Sequence, residues 1–300
     1  MKNLKLFFKN IGYLFRYNLK PLRALQHPAL LKSSSLEDVL EMYKYEIADY
    51  ISSIKTPKIK NVDETLDELH AKKASICRFG DGELDVMNGK NILFQSSSPE
   101  LAERLREVLS SNQPNCFIAI PKVIYSGKDN ITELAKYFWR MNGNKLRRVL
   151  ERYISFSNQY YSAEISIACS IYKNYDAWRY FQKFQKLWEG RDVTIICGKT
   201  VFDKMDNDIF DSAKTVEYVD APTENAFSSY HEILAEAKKI DQDRVVVIIL
   251  GPTATVLAYD LSQAGYQALD LGHIAKSYDW YKKNSSTDNL DDAIDFFDKD

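Results

Sequence analysis

Arg244-Val245-Val246-Val247-Ile248-Ile249-Leu250-Gly251-Pro252-Thr253-Ala254-Thr255 is the stretch on which the reading of the whole chain turns. Val245 to Leu250 is apolar throughout, and all but the last of these residues are β-branched. Such a run fits a strand covered on both faces, because a strand with no solvent side has nothing polar to alternate with. Gly251-Pro252 then breaks the strand and opens a helix over about 253–264. A doubly covered strand followed at once by a helix is the signature of a parallel sheet with crossover helices.

Outward from this point the same alternation recurs. Strand-like runs lie at Ala74–Phe79, Cys116–Ile120, Ile165–Cys169, Val193–Cys197, Thr215–Val219 and Ala268–Leu271. Helical spacing marks Leu36–Ile54, Val62–Lys72, Pro99–Leu109, Ile131–Tyr153, Asp176–Trp188 and Phe227–Lys239. No repeat, glycine-rich linker or low-complexity block divides residues 36–283. The expected fold is α/β: a single Rossmann-like domain whose mostly parallel sheet is covered by helices on both faces.

Composition narrows the function classes. The chain has 300 residues, 45% hydrophobic and 27% charged, which excludes a disordered chain and a disulfide miniprotein. A net charge of −2 gives no basic field for nucleic acid. Cys77, Cys116, Cys169 and Cys197 show no CxxC spacing, as expected of free thiols in a reducing cytosol. His27, His70, His231 and His273 form no metal-ligand pattern with them.

The two ends differ from the middle. Residues 1–32 carry seven Lys and Arg and no acidic residue, and Leu4, Phe7, Phe8, Ile11, Leu14 and Phe15 share one helical face. Two readings stay open for this extension, taken as 1–35. It is a basic amphipathic helix lying on an anionic membrane surface, or a segment packed on its own domain or a partner. Residues 284–300 form an acidic tail with six aspartates and one lysine. The location these features imply is cytoplasmic, with peripheral attachment to the inner face of the membrane under the first reading.

In a parallel sheet, ligands bind beyond the carboxyl ends of the strands. Three strand exits carry polar chemistry. Arg78-Phe79-Gly80-Asp81-Gly82-Glu83 offers two carboxylates, Asp81 and Glu83, suited to a Mg²⁺ or Mn²⁺ ion shared with a diphosphate, and Arg78 adds a forked donor. The same string also reads as an ordinary polar β-turn, since Asp-Gly favours turns. Gly251-Pro252-Thr253-Ala254-Thr255 opens a helix whose free N–H groups and hydroxyls suit phosphate, or it is a plain capped junction. Asp270-Leu271-Gly272-His273 places His273 as a base, a phosphate donor or a loop histidine, with Asp270 set to orient it.

These strings make the chain recognisable. Together with Phe94-Gln95, Leu101–Leu105, Ala135–Arg140, Trp188–Asp192, Asn225-Ala226-Phe227 and the whole of Leu250–Leu261, it resembles the bacterial GT-D-fold glycosyltransferase domain over about residues 60–283. The resemblance implies a nucleotide-sugar donor, of the UDP-sugar type, and a divalent cation held at Asp81 and Glu83. With that donor, the strand exits place its contacts along Arg78, Phe79, Gly80, Gly82, Gly251, Pro252, Thr253, Thr255 and Asp270, and the resembled family acts in bacterial surface glycan and adhesin glycosylation. The acceptor would be a glycan, lipid-linked or glycoprotein hydroxyl. The chain departs from the family where an arginine is expected: Cys169-Ser170-Ile171-Tyr172 has none, and Gly198–Asp206 presents Lys199 and Lys204 instead. Lys199 is accordingly a candidate phosphate contact. A non-catalytic sugar-nucleotide-binding homologue is the alternative reading.

Overall fold

The computed structural model describes residues 56–126, 130–199, 201–202 and 208–283. The basic extension, the helix expected over 36–54, Lys204 and the acidic tail lie outside the described residues. In chain order the elements are β1 (Lys58–Ile59), α1 (Val62–Lys72), β2 (Ser75–Arg78), α2 (Asp81–Met87), α3 (Pro99–Ser110), β3 (Cys116–Ile120), α4 (Glu133–Leu150), β4 (Gln159–Ser162) and α5 (Ala168–Ile171). They continue with α6 (Ala177–Trp188), β5 (Asp192–Gly198), β6 (Thr215–Ala221), α7 (Tyr230–Ala237), β7 (Val245–Ile249), α8 (Pro252–Gln263), β8 (Gln267–Asp270) and α9 (Ile274–Lys282).

The eight strands form one sheet in the order β1-β4-β3-β2-β8-β7-β5-β6. Every neighbouring pair is parallel, for example Ile76↔Leu269 and Val247↔Leu269. Alternate residues of the central strands feed separate cores. Cys77, Ile118, Val246 and Ile248 join the core under α2, α3, α4, α7 and α8. Ile76, Phe117, Val247 and Leu269 join the core under α1, α6 and α9. Val245 to Ile248 are fully buried, as a strand covered on both sides must be.

Local signals place the helices. Asn61 and Glu64 exchange hydrogen bonds of 2.8 Å in a capping box before α1. Ser98 and Thr132 cap α3 and α4. Cys77, Cys116 and Cys197 are buried and all four cysteines are unpaired by disulfides. Among the described residues no helix is long and apolar enough to cross a membrane.

Two local expectations are corrected. Ile165–Cys169 is not a strand: β4 precedes it, and the chain then coils through a 3₁₀ turn at Ala163–Ser166 into α5. Side chains hold that coil in place. The buried Glu164 carboxylate takes the Val123 N–H at 3.0 Å and the Ser162 hydroxyl, while the Tyr180 hydroxyl bonds the Ile165 carbonyl. Gly80-Asp81-Gly82 is not a β-turn either. Asp81 starts α2, because the Glu83 carboxylate folds back to accept the Gly80 N–H at 2.7 Å and Leu84, Val86 and Met87 pack inward.

β2 and β8 sit side by side at mid-sheet. From β2 the chain moves outward to β3 and β4, and it fills the other half before returning through β7 to β8. The chain leaving β2 enters α2 and α3 on one face of the sheet and the chain leaving β8 enters α9 on the other, so a crevice opens between their carboxyl ends.

Candidate functional site

Arg78 closes β2 and is the most heavily bonded residue of the crevice. Its main-chain N–H donates to Asp270 Oδ2 at 3.0 Å. Its Nε donates to the Asp270 carbonyl at 2.7 Å and Nη2 to Asp270 Oδ1 at 3.1 Å. Nη1 reaches across to Ser166 Oγ at 2.7 Å and the Ala163 carbonyl at 3.3 Å. The Thr255 hydroxyl lies 3.0 Å from both the Arg78 carbonyl and Asp270 Oδ2. Three strings that sequence spacing singles out separately are thus bonded to one another.

Asp81 and Glu83 occupy the first and third positions of α2. A regular helix turns such neighbours about 200° apart. The fold-back of Glu83 onto the Gly80 N–H returns its carboxylate to the helix end, where Asp81 also stands. Burial, with the Asp270 charge adding to it, pushes the Glu83 carboxyl up to about 7. Asp81 is exposed at the rim, yet the protein crowded about it also raises its carboxyl above the usual aspartate range. A half-buried carboxylate whose charged form is disfavoured is suited to a cation. Among the described residues no group of three or more acidic, His or Cys side chains could hold a metal. Two carboxylates alone fit a hard ion such as Mg²⁺ or Mn²⁺, which completes its oxygen shell with substrate phosphates and water rather than a protein cage.

The remaining sequence candidates are placed unevenly. Phe79 is fully buried, its N–H paired to the Ala119 carbonyl at 2.9 Å, so its ring is core. Pro252, Thr253 and Thr255 are buried as well. The Thr253 hydroxyl bonds Gln95 Oε1 at 3.3 Å, and Phe94 lies on Gly251 so closely that a Cβ there would stand 2.3 Å from the ring. Gly251 adopts φ +53°, a conformation that glycine accepts readily. The start of α8 is therefore roofed by the Ile92–Gln95 turn. That turn is itself tied down by Asn225, whose N–H bonds the Phe94 carbonyl at 2.8 Å. Gly80, Gly82 and His273 are half-buried at the crevice, and the His273 carbonyl accepts the Ser277 N–H at 2.8 Å as α9 begins. Lys199, at the end of β5, is exposed and pairs with Asp220 at 3.4 Å, two strands away from β8.

Spacing does not reveal Ser166, Gln95 or Asn225 as parts of this assembly. Gln95 and Asn225 do fall inside the strings that carry the family resemblance, which is the one signal pointing to them.

A parallel α/β sheet with a crevice at the carboxyl ends of its central strands is an architecture that nucleotide-binding proteins share with many others, so the fold by itself sets a class and not an activity. Comparison with known proteins narrows the class. The family described as "Glycosyltransferase GT-D fold" matches residues 76–292, and the chain belongs to it. The chain is 32% identical over 231 residues to a probable glycosyl transferase Gly of Streptococcus gordonii, covering 76% of this chain and 33% of that protein. It is 30% identical over 259 residues to glycosyltransferase GlyD of Streptococcus pneumoniae serotype 4, covering 80% and 31%. The chain thus spans about a third of the length of these curated relatives. A solved structure described as the highly conserved domain of unknown function 1792, with a distinct glycosyltransferase fold, superposes at a TM-score of 0.73 with 32% identity, over 83% of this chain and 87% of that one. A glycosyltransferase from Streptococcus sanguinis superposes at 0.70 with 33% identity, over 77% and 87%.

Proposed function

We propose that this chain is a glycosyltransferase domain that moves a hexose from a UDP-sugar to a hydroxyl of a glycan, lipid-linked or glycoprotein acceptor in bacterial surface glycan assembly. The observation that carries the reading is the pair Asp81 and Glu83 at the start of α2, beside the β2/β8 switch point, in a chain of the GT-D family. The acceptor oxygen attacks the anomeric carbon, the bond from that carbon to the diphosphate breaks, and the acceptor proton passes to a base. His273 at the crevice, or one of the two carboxylates, is the group set to take it. Asp81 and Glu83 would hold a divalent cation, Mn²⁺ or Mg²⁺, which would supply positive charge for the leaving diphosphate. That charge matters here because Arg78 and Lys199, the cationic side chains singled out by sequence, are already paired with Asp270 and Asp220.

The experiment is release of UDP from a panel of UDP-sugars with Mn²⁺, with Asp81→Asn beside the wild type. Turnover should fall by roughly 10²-fold or more in the variant while its circular dichroism spectrum is kept. Equal turnover would remove Asp81 from the site. The second reading, a sugar-nucleotide-binding homologue without turnover, is favoured by the closing of Arg78, Thr253 and Thr255 onto protein partners. Tight UDP binding with no release from any donor would establish it.

A further inference from the structure

A guanidinium that clamps a diphosphate needs an open edge with two parallel N–H groups. Arg78 has none to offer. Of its five donors, Nε and one Nη2 hydrogen serve Asp270, and Nη1 serves Ser166 and the Ala163 carbonyl. Gly272 lies against the remaining side. A Cβ built there would stand 2.1 Å from Nη2, and the residue adopts φ +45°. The Arg78 side chain is 15% exposed and that of its partner Asp270 only 3%.

The main chain of the same residue is equally fixed, its N–H by Asp270 and its carbonyl by Thr255. Two residues further on, Gly80 supplies the N–H that turns Glu83 back over the helix end. The exit of β2, and with it the start of α2, is thereby set by one side chain that joins β2, β8 and the 3₁₀ turn after β4.

We infer that Arg78 is a positioning residue for the Asp81/Glu83 cation site and not a ligand of the donor phosphates. This rests on the reading of Asp81 and Glu83 as cation ligands. Arg78 acts as the groups behind metal ligands do, by fixing the direction in which the ligating carboxylates are presented. Lysine at this position keeps the charge, yet it cannot reach Asp270, Ser166 and Ala163 together.

The test is Mn²⁺ binding by electron paramagnetic resonance to wild type, Arg78→Lys and Asp81→Asn, followed by calorimetric titration of UDP at saturating Mn²⁺. Arg78→Lys should weaken Mn²⁺ binding by about 10- to 100-fold, the range for partners behind a metal ligand. UDP affinity at saturating Mn²⁺ should change by less than about threefold, since no phosphate contact is lost. Unchanged Mn²⁺ affinity overturns the inference, and so does a UDP affinity that collapses while Mn²⁺ binding is kept. Wild type that binds no Mn²⁺ overturns the cation site itself, a different failure. Should Arg78→Lys not fold, Ser166→Ala removes only the 2.7 Å bond and should weaken Mn²⁺ about threefold to tenfold. No change in that variant also overturns the inference.

Discussion

Replacing Glu83 with glutamine removes a charge that the cation-free fold holds at a cost. The carboxyl is raised from 4.5 to about 7, chiefly by burial. A carboxyl raised in the folded state stabilises the fold fully only below its unfolded value, and that contribution is lost as pH climbs through the folded value. The difference between the two values corresponds to about 3 kcal/mol, of which about 2.5 kcal/mol is lost between pH 5 and pH 8. Glutamine stays neutral throughout and still offers an oxygen to the Gly80 N–H, so the bond at the start of α2 survives. Urea unfolding of both proteins in EDTA at pH 5, 6.5 and 8 reads the effect, because every other titrating group is shared. The stability of Glu83→Gln relative to wild type should rise by about 2–3 kcal/mol from pH 5 to pH 8. Saturating Mn²⁺ at pH 8 should close the gap, since the cation supplies the missing counter-charge to wild type alone. A relative stability that does not move with pH would refute the claim that the fold disfavours the Glu83 charge.

His273→Ala should lower kcat with donor KM unchanged if the imidazole receives the acceptor proton, and raise KM if it meets phosphate; steady-state donor kinetics separate the two, and unchanged values make it a loop residue. Gly251→Ala should cost roughly 1–3 kcal/mol in urea unfolding, since its Cβ meets Phe94 and its φ is positive, and should expose the Ile92–Gln95 turn to limited proteolysis. The 300-residue chain should sediment with anionic vesicles at low salt and be released at about 0.5 M salt. A chain beginning at Leu36 should stay in solution with donor hydrolysis intact; equal sedimentation of both would exclude residues 1–32 as the membrane anchor.

Much of the architecture follows from short-range pattern. Val245–Leu250, Cys116–Ile120 and Val193–Cys197 read as strands because they are apolar along their length but for Thr194, and all of their residues except Ile249 are buried. What pattern could not supply is where side chains turn back on the main chain. The alternation Ile165-Ser166-Ile167 looks like a strand, but Glu164 and Tyr180 bond the backbone into a coil. Gly80 and Gly82 look like a turn, but Glu83 caps Gly80 and makes a helix. The crevice was legible to the level of strand exits. That Arg78 is engaged by Asp270 was not, because the partners are 192 residues apart and nothing local records the bond.

That separation has a consequence for how the protein comes into being. The centre of the sheet is closed by its last strand: β2 waits for β8, and Ile76 meets Leu269 only after nearly the whole domain has left the ribosome. Until then β2 presents a bare edge, Arg78 lacks its carboxylate, and the loop to α2 has nothing to set it. Pairings of such long range are slow to form, since the entropy of closing the intervening chain is lost before the contact is gained. A nascent chain halted before β8 therefore holds a half-built sheet with an open hydrophobic seam, the kind of species that chaperones must shield.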